Sequence, residues 1–112
     1  MLAQGYSSSS SMASSTIYTV PAGKSAIIKT LGFSNKSGTD QALEVRIVPS
    51  GATAGNQHIW ISEGTTGALR STAAGATVRY ESVITLSAGD FIQIANTTAN
   101  AVGYFIMGVE IS

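Results

Sequence analysis

The sequence predicts an all-β fold, an antiparallel β-sandwich or jelly roll of about seven or eight strands. Apolar residues alternate with a period of two from residue 17 onward, as they do in half-buried strands. Segments rich in Gly, Asn, Ser and Thr separate these runs, and no window has the period of an ordinary helix. With 112 residues, the chain is expected to be one domain with a core of its own.

Residues 1–16, MLAQGYSSSSSMASST, are predicted to form a flexible N-terminal arm, and residues 17–112 the single sandwich domain. The serine run offers no periodic apolar face that could pack on a core. Leu2 and Tyr6 are candidate anchors, which would dock on a neighbouring molecule when the arm becomes ordered. In a neutral linker the same two residues would be incidental.

Two similar turns predict two strand–turn–strand units. TVPAGK at 19–24 leads into the apolar run SAIIKTLGF, and TLSAGD at 85–90 leads into FIQIA. Pro21 presets the φ angle of a turn, and Gly23 and Gly89 tolerate positive φ. The similarity of the two stretches therefore reflects turn geometry and predicts no chemistry.

Three further strands follow from alternation alone. ALEVRIV at 42–48 places its aliphatic residues on one face and Glu44 and Arg46 on the other, where the two charges can pair. QHIWIS at 57–62 and TVRYESVITL at 77–86 alternate in the same way. For residues 68–71 the pattern decides neither for a strand nor for a loop.

The last predicted strand, VGYFIMGVEI at 102–111, is apolar on both faces. One face carries Phe105, Met107, Val109 and Ile111, and the other carries Val102, Tyr104 and Ile106. Two interpretations remain open for the second face. It lies at an oligomer axis or subunit seam, or it lies in a core between two sheets.

Charged residues make up 11% of the chain, against about 25% in an ordinary soluble domain, and the formal net charge is zero. We therefore expect other subunits to cover much of the surface, although a surface of uncharged Ser, Thr and Gly would have the same composition. The basic residues are scattered, which predicts neither nucleic acid nor a membrane as partner. The N-terminus lacks the pattern of a secretory signal, and no apolar run is long enough to span a bilayer.

The sequence predicts no enzymatic activity, no cofactor and no metal site. There is no cysteine, no G-x-S-x-G motif and no P-loop, and His58 is the one histidine. The six carboxylates are spread along the chain, with neither the spacing of a glycosidase pair nor an acid-dense calcium loop. We expect His58 to lie at the surface or an interface.

Two parts of the chain resemble known families. LSAGDFIQI at 86–94, with its apolar closing strand, resembles the late strands of jelly-roll modules of the tumour-necrosis-factor and C1q type, which assemble as trimers. IYTVPAGKSAIIK at 17–29, followed by ALEVRIVPS at 42–50, is more closely similar to small virion proteins of tailed bacteriophages. The resemblance covers residues 17–50 and 85–111.

The phage resemblance implies a capsid decoration, or cement, protein, made in the host cytoplasm and located on the capsid surface of the virion. Its partners would be the major capsid protein and further copies of the chain, in a trimer. Each bound copy would bridge capsid subunits and stabilise the shell by mass action. The residues expected at subunit or capsid interfaces are Leu2, Tyr6, Val102, Tyr104 and Ile106.

The alternative hypothesis is a trimeric β module of a tail fibre or baseplate that binds a host-surface glycan or receptor. Sugar rings stack on exposed aromatic side chains, and Trp60 is the strongest candidate, followed by Tyr80 and Tyr104. An exposed Trp60 in a concave polar site favours glycan binding. A Trp60 buried at a subunit contact favours decoration.

Overall fold

The computed structural model describes residues 2–10, 14–35, 42–53, 55–63, 76–96 and 98–112. These residues form eight strands and one short 3₁₀ turn, Asn56–His58. The strands are β1 (Ala3–Tyr6), β2 (Ser15–Thr19), β3 (Ser25–Asn35), β4 (Leu43–Val48), β5 (Ile59–Glu63), β6 (Ala76–Leu86), β7 (Phe91–Asn96) and β8 (Val102–Ile111). The described residues contain no α-helix, and the undecided stretch 68–71 lies outside them.

The strands form two antiparallel four-stranded sheets. Sheet A has the order β1-β8-β3-β6, and sheet B has the order β2-β7-β4-β5. The first strand thus pairs with the last, the second with the seventh, the third with the sixth and the fourth with the fifth, as in a long hairpin rolled into a sandwich. This order is that of an eight-stranded jelly roll, which confirms the predicted fold class.

The core lies between the two sheets, and its described members are mostly inward residues of the strands. The largest fully buried side chains are Phe33, Ile28, Leu31, Leu43, Ile92, Ile94, Ile106, Val20, Val45, Val48 and Val102. Along β4, Leu43 and Val45 face this core, whereas Glu44 and Arg46 face outward and form the predicted ion pair at 3.3 Å. The period of two therefore assigns the core face of this strand correctly.

The two similar turns lie side by side. Gly23 and Gly89 have the predicted positive φ angles of 77° and 86°. The backbone N–H of Val20 donates to the carbonyl of Asp90, and the N–H of Gly89 donates to the carbonyl of Val20. These bonds extend the β2–β7 pairing into both turns, so the turns close the same end of sheet B.

The structure places two parts of residues 1–16, the segment predicted to be a flexible arm, in strands of the sandwich. Ala3–Tyr6 form β1, which pairs with β8 at the edge of sheet A, and β2 begins at Ser15. Backbone hydrogen bonds and buried serine hydroxyls hold this segment, together with partial core packing of Leu2 and Ala3. The apolar periodicity of a sequence does not predict such hydrogen bonds.

Candidate functional site

The outward face of sheet A carries a row of exposed apolar side chains. We call Phe105, Met107, Val109 and Ile111 the β8 stripe, because they occupy successive outward positions of that strand. Met107, Val109 and Ile111 are 44%, 45% and 49% exposed, and Phe105 is half-buried. Ile27 of β3 pairs with Val109 and widens the stripe. Contiguous apolar surface of this kind marks a contact site more often than scattered single residues do.

The same part of β8 has no strand paired to one of its edges within the described ranges. The short strand β1 pairs with β8 only from Gly103 to Ile106. Beyond Ile106, the described residues contain no strand on that side of β8, so Met107–Ile111 combine apolar side chains with a strand edge that no described strand covers. Such an edge can pair with the backbone of another molecule.

The outward face of sheet B has the opposite character. Arg46 pairs with Glu44 and donates a hydrogen bond to the hydroxyl of Ser14. On the neighbouring strands, the amide of Gln93 donates to the hydroxyl of Thr16. Polar groups of this face therefore bond to one another within the chain. Among the side chains that the structure describes, those on the outward face of sheet A have the stronger character of a contact surface.

Glycines opposite aromatic residues shape one end of the sheet A face. Gly32 lies opposite Phe105, whose ring covers it so closely that a Cβ atom at Gly32 would overlap the ring. Gly103 lies opposite Tyr6, which is 54% exposed. The missing side chain at Gly103 leaves a shallow trough of about 390 Å³. Its lining is uncharged and consists of Gln4, Gly5, Tyr6, Ser34, Gly103, Tyr104 and Phe105.

Of the interface residues predicted on β8, Val102 and Ile106 are not on this face, whereas Tyr104 contributes to the lining of the trough. Val102 and Ile106 are fully buried in the core, and Tyr104 packs partly against it. The core interpretation of that face of β8 therefore holds in the structure, because sheet B covers it within one chain. The opposite face of the strand, the β8 stripe, is the one available to another molecule.

The two predicted anchors of the N-terminal segment have different positions. Leu2 packs partly against the core of its own chain, and its backbone N–H donates to the carbonyl of Ile106 at 2.7 Å. Tyr6 lies on the outward face of sheet A beside the trough. Tyr6 is therefore accessible to a partner, while Leu2 is largely used within the chain.

The structure describes the side chains of two of the three predicted ligand aromatics, Tyr80 and Tyr104. Trp60 lies in β5 at a register shift, since Val45 pairs with Ile61 and Arg46 pairs with Ile59. The side chain of Trp60 lies outside the described part of the structure, so the test based on its exposure stays open. Tyr80 packs against the core, with its ring centroid 6.3 Å from that of Phe33.

His58 and Asp90 both take part in local hydrogen bonds. The backbone N–H of Gly55 donates to Nδ1 of His58 across the 3₁₀ turn at 3.2 Å. Asp90 accepts the backbone N–H groups of Ser50 and Ser87, each at 2.9 Å, which joins two turns as expected of a turn aspartate. Among the described residues, no three His, Asp or Glu side chains come together as metal ligands.

One polar cluster joins the two sheets near the end of β8. The hydroxyl of Tyr18 donates to the Glu110 carboxylate at 2.7 Å, and Nζ of Lys24 lies 3.7 Å from the same carboxylate. Burial raises the pKa of Tyr18 well above its ordinary value, and the hydrogen bond to Glu110 and the negative charge of Glu110 raise it further. A tyrosine with a raised pKa remains protonated at neutral pH, which suits a structural bond.

The sequence predicts the apolar residues of the β8 stripe, but it does not predict that this face of the strand is the exposed one. Alternation shows that β8 is apolar on both faces, but it does not decide whether the face of Val102, Tyr104 and Ile106 lies at a subunit seam or in a core. The choice depends on which face sheet B covers, and that follows from the strand order. The trough depends in turn on the register that places Tyr6 opposite Gly103.

Comparisons with family models, curated proteins and solved structures found no match to this chain. No helix in the described ranges has the length and apolar character needed to cross a membrane.

Proposed function

We propose that this chain is a structural subunit without catalytic function, a decoration protein on the outer surface of a tailed-phage capsid. The observation that carries the proposal is the β8 stripe, an apolar row on the outward face of a sheet in a chain with few charges. The jelly-roll topology is common among capsid proteins, and the sequence resemblance of residues 17–50 and 85–111 favours the same role.

The proposed mechanism is thermodynamic. The β8 stripe and the adjoining strand edge of β8 contact the major capsid protein or a neighbouring copy of the chain. Binding that is specific for the assembled shell stabilises it over dissociated subunits by mass action. The resemblance implies three copies in each decorating unit, and this number belongs to the proposal.

Immunogold labelling of intact virus particles tests the location. Label over the head surface supports decoration, and label confined to the tail or its fibres contradicts it.

Binding of the purified chain to heads stripped of the protein tests whether the β8 stripe is the contact surface. We expect the double variant Val109→Thr with Ile111→Thr to bind these heads at least about tenfold more weakly than the wild type, because burial of exposed apolar groups drives such contacts.

A matched control lies on the other sheet. Thr19 is exposed on β2 of sheet B, so Thr19→Ala should bind heads as the wild type does. Equal losses for both variants would contradict the assignment of the contact to sheet A. Circular dichroism of each variant shows that the fold is retained.

The trough favours a second candidate function, a glycan-binding module. An exposed tyrosine, a half-buried phenylalanine, an amide and a hydroxyl around an uncharged trough suit a neutral sugar ring, which stacks on aromatic faces and bonds to polar groups. NMR titration with methyl glycosides of glucose, galactose and N-acetylglucosamine tests it. Chemical-shift changes at residues 4–6 and 103–105 that disappear in Tyr6→Ala would show that the sugar binds in the trough. Since decoration is proposed to use the same face of sheet A, this result would favour glycan binding over decoration.

A further inference from the structure

The geometry points to strand exchange between copies of this chain, and we infer that residues 2–9 of one copy dock on residues 96–106 of another. We call residues 2–9 the N-terminal segment and residues 96–106 its docking site. In the structure both belong to one chain, which shows that the segment fits the site. The inference names a second copy as the partner and depends neither on the β8 stripe nor on capsid binding.

Backbone hydrogen bonds hold the N-terminal segment along its docking site. β1 pairs in an antiparallel register with Gly103–Ile106 of β8. The N–H of Leu2 donates to the carbonyl of Ile106 at 2.7 Å, and the N–H of Ser7 donates to the carbonyl of Val102 at 2.8 Å. An extended peptide that adds a strand to a sheet binds in this way, so the contact does not require that segment and site belong to one chain.

Two serines and one asparagine set the register of the segment. The hydroxyl of Ser7 donates to Oδ1 of Asn96 at 2.6 Å. The hydroxyl of Ser9 accepts the backbone N–H of Asn96 at 2.9 Å and donates to the Asn96 carbonyl at 3.2 Å. All three residues are buried, and a shift of the segment by one residue would break these bonds at a cost in free energy. The site therefore selects this segment, which each copy of the chain carries.

The N-terminal segment contributes little to the core. Leu2 and Ala3 pack only partly against it, and the last three residues of β1 are exposed. The largest fully buried side chains belong to Val20 and later residues. Release of the segment therefore loses hydrogen bonds and a small apolar area, while the core of the sandwich stays intact. Segments with few buried apolar contacts open locally without global unfolding.

The connection between the segment and β2 is long enough to reach a second copy. Residues 10–14, SSMAS, link Ser9 to Ser15, the first residue of β2. The hydroxyls of Ser8 and Ser15 lie 3.0 Å apart in an exposed hydrogen bond, so the two ends of the connection are close together in the closed chain. Fully extended, the connection spans about 20 Å. This length suffices for a second sandwich that lies against the same edge.

Exchange reproduces between two chains each contact that the segment makes within one. The closed and exchanged forms therefore have similar contact free energies, and the balance between them depends on the connection and on the concentration of chains. The Ser7 bond is lost when the segment opens and is regained in both forms. It should therefore control the rate of exchange and leave the exchanged fraction unchanged.

Cysteine pairs distinguish exchange from closure, because the chain has no cysteine of its own. Tyr6 pairs with Gly103, and a Cβ atom at Gly103 has room. Tyr6→Cys and Gly103→Cys are purified separately in reduced form, mixed and then oxidised. We expect a dimer of one copy of each variant, linked between positions 6 and 103, in an amount that rises with concentration. Gln4→Cys with Phe105→Cys is a second pair in the same register.

Two controls accompany the mixture. A single chain that carries both Tyr6→Cys and Gly103→Cys should close the disulfide internally, which verifies the geometry of the pair. Thr19→Cys is the matched control for Gly103→Cys, because Thr19 is exposed on β2, outside the docking site. With Tyr6→Cys it should give at least about tenfold less mixed dimer, since no docking raises the local concentration of the two thiols. Equal yields would overturn the inference in favour of random collision.

The rate provides a second readout. Brief oxidation after increasing times of mixing follows the exchange, and Ser7→Ala in both cysteine variants should accelerate it about fivefold or more, because opening breaks one buried bond fewer. The final exchanged fraction should stay within about twofold. An unchanged rate would contradict the assigned role of Ser7.

Absence of the mixed dimer at the highest soluble concentration, although the double variant closes its internal disulfide, would overturn strand exchange while the proposed decoration function stands. Conversely, a failure of the chain to bind capsids would leave strand exchange untouched.

Discussion

Single residues of the serine-rich segment tie the N-terminus to the sandwich. Ser7 and Ser9 are buried although they are polar, and both bond to the buried Asn96. The Ser7 hydroxyl donates to Oδ1 of Asn96 at 2.6 Å, and the backbone N–H of Asn96 donates to the Ser9 hydroxyl at 2.9 Å. Buried polar groups stabilise a fold only when they are paired, and these groups pair with each other across the two ends of the chain.

Ser7→Ala should lower the free energy of unfolding by about 1–3 kcal/mol, because it leaves Oδ1 of the buried Asn96 without this donor. Ser8→Ala is the control, since Ser8 is exposed and its hydroxyl forms a solvent-exposed hydrogen bond with the hydroxyl of Ser15. We expect that change to stay within about 0.5 kcal/mol. Urea unfolding measures both, and equal effects would show that the Ser7 bond does not contribute.

Tyr18 should make the free energy of unfolding decrease at high pH. Its pKa is raised in the folded state, so the unfolded chain loses this proton at a lower pH than the folded one does. Stability from this group is therefore complete below the ordinary tyrosine pKa of about 10 and falls as the pH rises above it. The free energy of unfolding should fall more steeply above pH 10 in the wild type than in Tyr18→Phe. Parallel curves for the two proteins would contradict this assignment.

At the scale of strands, two glycines of β8 and β3 lie so close to neighbouring atoms that a larger residue would overlap them. A Cβ atom at Gly108 would collide with the backbone carbonyl oxygen of Ile27, and one at Gly32 would collide with the ring of Phe105. At Gly103 the nearest atoms would lie at 3.7 Å, an ordinary contact distance. These positions carry glycine for different reasons, and their substitutions should differ accordingly.

We expect Gly108→Ala to be the most destabilising of the three alanine substitutions, by more than about 2 kcal/mol, because backbone must move. Gly32→Ala should cost about 1–2 kcal/mol, since the Phe105 ring can rotate away at the loss of its packing. Gly103→Ala should be neutral or slightly stabilising, because glycine is unfavourable in strands. Thermal unfolding gives the order, and a reversed order of Gly108 and Gly103 would refute it.

The strands themselves were largely predictable, and the reasons differ between elements. β4, β7 and β8 follow from alternation, and the turns before β3 and β7 follow from the positive φ angles of Gly23 and Gly89. β1 was missed, because AQGY has no apolar pattern and forms a strand only through its backbone bonds to β8. Of the predicted interface residues, Tyr6 lies on the candidate face, and Val102 and Ile106 lie in the core.

At the scale of the whole molecule, the β8 stripe should control solubility more than stability. Val109→Thr with Ile111→Thr should raise the solubility limit and reduce binding of a hydrophobic dye, because both side chains are nearly half exposed. The free energy of unfolding should change by less than about 1 kcal/mol. Ile106→Thr should instead cost about 2–4 kcal/mol, because it places a hydroxyl in the core. Similar losses for both variants would contradict the assignment of the two faces.

The sequence by itself determined the strand pattern, the two similar turns and the scarcity of charge, because these depend on residues close together in the chain. The tertiary structure decided which face of β8 is buried, where β1 lies and which strands are edges. Those features depend on pairings between the two ends of the chain, such as β1 with β8, which local patterns do not encode. The candidate contact surface is therefore a product of the jelly-roll order, which covers one apolar face of β8 and leaves the other exposed.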